Sequence, residues 1–177
     1  MQPGAGRRPT RWAVSLLALV ALTWVLLLAA APVVAARPPS ERASLAVAAF
    51  YQAAGQVCHQ RVARSFALQG VPLPVCGRCH ALYVAGALGV GLVAGRTWWS
   101  ARPLDTLTRP AWAPARWTPE AAWLALGALP LAATLLWEAW AGDPGNVVRG
   151  IGSAPLGLVA GWVAGRGLAA GGVGPAS

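Results

Sequence analysis

The chain has 177 residues, of which 56% are hydrophobic and only 11% charged, with a mean hydropathy of +0.53. A water-soluble domain carries charge on about a quarter of its residues, so this composition excludes a soluble globular protein and leaves a single membrane domain. The net charge of +9 comes from fourteen Arg and no Lys, scattered between apolar runs. That pattern reads as charge flanking helices in a lipid bilayer, not as a nucleic-acid surface.

After a polar start with Arg7, Arg8 and Arg11, residues 12–36 form an uncharged run. A helix needs about 20 such residues to cross the hydrocarbon core. Ala35 and Ala36 would suit a cleaved signal peptide, but the apolar core exceeds the usual length of about 7–15 residues, which favours a retained helix. Residues 37–79 are expected to lie outside the cytoplasm. Within them Ser40 can cap a short, mildly amphipathic helix through Phe50 and Tyr51, and Gly70, Pro72 and Pro74 break regular structure.

A second span is expected over residues 80–99, closing on Trp98 and Trp99, and Pro74 could sit in its first turn. The stretch from Arg96 to Glu120 holds four Arg and four Pro and cannot cross. A third span follows over residues 121–140, then the turn Gly142-Asp143-Pro144-Gly145, then a fourth over residues 147–168 bent at Pro155. The Gly-rich residues 169–177 are expected to be disordered. The sequence therefore predicts an all-α integral membrane bundle of about four transmembrane helices with a short extracytoplasmic Cys/His-containing segment. With the N-terminus inside, eight Arg fall on the cytoplasmic side and six outside, a modest positive-inside bias. Gly157, Gly161 and Gly165, and separately Ala87, Gly91 and Gly95, offer small-residue stripes for a close helix neighbour, in this chain or in a second copy.

The candidate chemistry is concentrated in one region. Cys58, Cys76 and Cys79 are the three cysteines of the chain, with His59 and His80 beside them. Cys76 and Cys79 share a face at a helix start, where the positive helix end and Arg78 favour thiolate. Three thiolates with His59, His80 or water would satisfy the four ligands zinc or another transition metal prefers. Thiol–disulfide exchange by the Cys76–Cys79 pair is a second reading, and a structural disulfide without catalysis a third. Cys76-Gly77-Arg78-Cys79-His80 also spells a c-type haem attachment motif, but little soluble sequence is present to wrap a haem. Arg64 and Arg78 would offset thiolate charge or hold an anion, and Glu138 and Arg149 flank the last turn, where they could pair.

Cys58-His59-Gln60, Arg64-Ser65-Phe66, Gly70, Pro74-Val75-Cys76-x-Arg78-Cys79 and Tyr83 resemble a family of small prokaryotic membrane proteins known as domain of unknown function 2085. Asn146 and Arg149 are similar to that family's Asn-x-x-Arg element, and the resemblance runs from about Gln52 to Leu168. It implies a bacterial cytoplasmic-membrane protein with a cysteine site, and no particular reaction. The family usually lacks histidine where His80 stands, which makes the haem motif look coincidental here. It commonly places an acid near Thr134 and a Thr-Gly pair after the Arg, where this chain has Glu138 one turn later and Gly152-Ser153.

Overall fold

Long apolar runs close their backbone hydrogen bonds as helices, because lipid offers no other partners. A computed structural model describes residues 11–37, 40–99 and 107–170, and in it four such helices form. They are α1 (Arg11–Ala35), α3 (Gly77–Trp99), α4 (Pro119–Ala141) and α5 (Gly145–Ala169), with the shorter α2 (Glu41–Gly55) between the first two. At about 1.5 Å per residue the four long helices reach about 35 Å, enough to cross a hydrocarbon core of about 30 Å. The protein is an all-α integral membrane bundle. Arg7, Arg8, Arg102 and nearly all of the expected disordered tail lie outside the described residues, while Ala169, assigned to that tail, belongs to α5.

Local chemistry explains two of the helix starts. The Ser40 hydroxyl accepts the Ala43 N–H at 3.4 Å and caps α2, as its sequence predicts. Thr118 caps α4 on the Ala121 N–H at 3.2 Å, with Pro119 in the first turn where a missing N–H costs nothing. The start of α3 differs from expectation. It begins at Gly77, three residues early, which puts Cys79 and His80 inside the first turn and leaves Pro74 in the bend before it. The first residue of α3 packs closely on α5: a Cβ on Gly77 would lie 3.0 Å from the Asn146 carbonyl oxygen and 3.3 Å from Phe66.

Where turn residues predicted only a break, a small hairpin forms. Ala67–Leu68 (β1) pairs antiparallel with Val71–Pro72 (β2). Gln69 and Gly70 both take positive φ, 52° and 79°, as a two-residue turn between twisted strands requires.

Chain direction decides which residues meet. α3 and α5 form the largest interface and run parallel: Leu82 faces Gly157, Gly86 faces Gly161, and Val93 faces Gly165. A Cβ on Gly157 or Gly161 would overlap the carbonyl oxygen of Leu82 or Gly86. The Gly157–Gly161–Gly165 stripe is therefore spent on α3 of the same chain. The other predicted stripe is not the one used, since Gly91 and Gly95 have open space at their Cβ positions and α3 meets α5 through Gly86 and Gly89. α4 folds back antiparallel on α5, with Thr134 against Gly152 and Gly127 against Pro155. α1 runs antiparallel to α3, from Val14 beside Val90 and Val93 to Trp24 beside Tyr83. One end of the bundle thus gathers the C-termini of α1 and α4 and the N-termini of α3 and α5. Exposed Trp12 and Trp99 mark the opposite end, and Trp137 and Trp140 mark this one.

Candidate metal centre

Two backbone segments are tied together before any cysteine meets another. Past the end of α2 the Cys58 N–H is still held by the Ala54 carbonyl at 3.1 Å. Two residues on, Gln60 takes a left-handed φ of 49° and its amide donates to the Tyr51 carbonyl at 2.6 Å and the Pro74 carbonyl at 2.9 Å. The Tyr51 hydroxyl donates to the Pro72 carbonyl at 2.7 Å. These bonds fasten the Cys58 segment to the approach to α3, over a small core of Leu28, Ala54, Val75, Trp24, Phe50 and Tyr83.

On this scaffold the Sγ atoms of Cys58, Cys76 and Cys79 lie within 4.8 Å of one another, and all three thiols are free of disulfide. The Cys76 backbone N–H donates to Cys58 Sγ at 3.2 Å. Cys76 precedes α3 at the positive end of the helix. Its thiol is held down to about 5, first by a hydrogen bond from the Cys79 thiol, then against burial by the Cys79 backbone N–H, the Cys58 thiol and the Arg78 backbone N–H.

Next to the sulfurs three guanidiniums converge on one carboxylate. Glu138, from the last turn of α4, takes Arg64 at 2.8 Å and Arg149 at 3.0 Å on Oε1, and Arg78 at 2.6 Å on Oε2. The Arg149 side chain is only 1% exposed and also reaches Asp143 at 2.9 Å. The Gly145 N–H and Arg149 hold the Asp143 carboxyl below its ordinary range. Asn146 joins two motif elements, donating to the Ser65 carbonyl at 3.0 Å and accepting from Arg149 at 3.2 Å.

The structure sorts the residues singled out from sequence. Cys58, Cys76 and Cys79 come together, and Arg64, Arg78, Glu138, Asn146 and Arg149 form one adjoining network. The histidines divide: His59 shares a cavity with the three cysteines, whereas His80 does not line it. His80 stands edge-on to Phe66, with ring centroids 6.2 Å apart, and its buried Nδ1 has no hydrogen-bond partner. The group of sulfurs within 4.8 Å includes neither ring. Sequence reasoning missed Gln60 and Tyr51 as fasteners and Asp143 as a partner of Arg149. Gln60 stood in plain view within Cys58-His59-Gln60, whereas Tyr51 sat on an amphipathic helix with no distinguishing neighbour.

The segments meeting here are the ones that carried the family resemblance. A family profile described as a predicted membrane protein, DUF2085, matches residues 58–163. The chain belongs to the DUF2085 family. No curated protein and no solved structure matches it. The DUF2085 match opens at Cys58 and spans the three cysteines, all three Arg of the network and Glu138.

Proposed function

We propose that this protein is a metal-binding protein of the bacterial cytoplasmic membrane, holding one transition-metal ion on Cys58, Cys76 and Cys79 at the outer end of the bundle. The carrying observation is the approach of three unbridged sulfurs to within 4.8 Å. Sulfurs at that spacing can all reach one ion, and soft sulfur donors suit zinc or another thiophilic transition metal. Three sulfurs leave a fourth place for water or for His59, the histidine that shares their cavity. A modest Arg bias supports the outward orientation. Eight Arg flank the other end of the spans and six the site end, the bias expected when the site end faces outward.

Elemental analysis of the detergent-purified protein, with free thiols counted alongside, tests this. The expected result is about one metal ion per chain, lost in Cys58→Ser and in Cys79→Ser. Metal-free protein with two oxidised thiols would overturn the reading.

A second reading, thiol–disulfide exchange, is favoured by the lowered Cys76 thiol one turn from Cys79. It predicts a mixed disulfide trapped on Cys76 when Cys79 is replaced by Ser.

A further inference from the structure

The three cysteines open onto a cavity of about 300 Å³ that is also lined by Arg61, Arg64, Arg78 and Arg149. Among the described residues no carboxylate lines it. Glu138, with two oxygens, serves three guanidiniums, each through one terminal nitrogen. That leaves donors over: Nε of Arg149 and Nε of Arg78 are buried with no partner. A buried charged donor without an acceptor is unfavourable and rare in folded proteins. Arg149 is also the largest fully buried side chain of the described residues, so the fold holds this guanidinium in place at the cavity instead of letting it reach water. The N-termini of α3 and α5, Gly77 beside Asn146, add their positive ends to the same region.

We propose that this cavity binds a small oxyanion, a phosphate or phosphodiester group, on the guanidiniums of Arg64, Arg78 and Arg149. Arginine presents paired N–H groups that match two oxygens of such a group. The binding stands on the guanidiniums and does not require the metal reading; a metal ion on the sulfurs would neutralise thiolate charge beside the anion and strengthen it. The cavity lies at the end of the spans, near exposed Trp137 and Trp140, so the anion can come from solution or from a lipid headgroup.

The test uses the whole protein in detergent with its own metal content. Inorganic phosphate is titrated by calorimetry at low ionic strength, and native mass spectrometry measures retention of phosphatidylglycerol against uncharged diacylglycerol. Saturable binding of phosphate at one site supports a soluble anion; retention of one phosphatidylglycerol without diacylglycerol supports a headgroup. In either case Arg64→Gln and Arg78→Gln each weaken binding about tenfold. Glu138→Gln, which removes the competing carboxylate, tightens it, an outcome that a purely structural ion network would not give. Arg64 is the most exposed of the three (37%), so Arg64→Gln decides the matter should the Arg78 variant not fold. No binding of either probe, or wild-type affinity in a folded Arg64→Gln protein, overturns the proposal. Metal measured on the same samples keeps the two ideas apart: metal-free protein that binds phosphate refutes the metal reading alone.

Discussion

Cys76 occupies a position where several hydrogen bonds together outweigh burial. It precedes a helix, accepts a hydrogen bond from the Cys79 thiol, and lies beside Cys58, whose sulfur its own N–H contacts. Because its titration point is lowered from the ordinary 9.0 to about 5, the thiolate persists at every pH above that value and is lost as pH falls through it. In reduced protein stripped of metal, the rate of iodoacetamide labelling at Cys76, read by peptide mass spectrometry, should stay level from pH 8 to pH 6 and fall by half near pH 5. A midpoint near the ordinary thiol value of about 8.5 would contradict this. The pairing of Glu138 with Arg149 was legible because both flank one short turn. That Arg64 and Arg78 share the same carboxylate was not legible, since it depends on α3 and α5 starting side by side.

Element packing rests on glycine backbones in direct contact. Lipid supplies no hydrophobic drive between helices, so the close approach of α3 to α5 has to come from van der Waals contact, which side chains at Gly157 and Gly161 would prevent. Gly161→Ala forces a methyl into the Gly86 carbonyl and should destabilise the folded protein by about 1–3 kcal/mol. Gly91→Ala, on an open face of α3, should change stability by less than about 0.5 kcal/mol. Thermal unfolding in one detergent, followed by near-ultraviolet circular dichroism, separates them; equal effects would contradict the parallel pairing of α3 with α5. Sequence pointed to both glycine stripes without ranking them, because spacing marks a close-packing face and not its partner. The close packing of Gly77 on Asn146 escaped it for a related reason, since the two lie far apart along the chain.

At the scale of the whole molecule, the four spans followed from long apolar runs, and the structure sets where each begins. Those boundaries carry the functional consequence. The start of α3 at Gly77 puts Arg78 and Cys79 in one helical turn, and the parallel run of α3 and α5 carries both N-termini to the end where Cys58 is fastened by Gln60. A bundle with four apolar helices and few charges has collected a free-thiol cluster and an arginine network at a single end. The most direct test is X-ray absorption of the purified protein at the edge of whichever metal elemental analysis finds. The account predicts three sulfur neighbours, at about 2.3 Å if the ion is zinc, and one lighter ligand, with the sulfur shell reduced in Cys58→Ser. A shell of nitrogen and oxygen alone would contradict a centre built on these three cysteines.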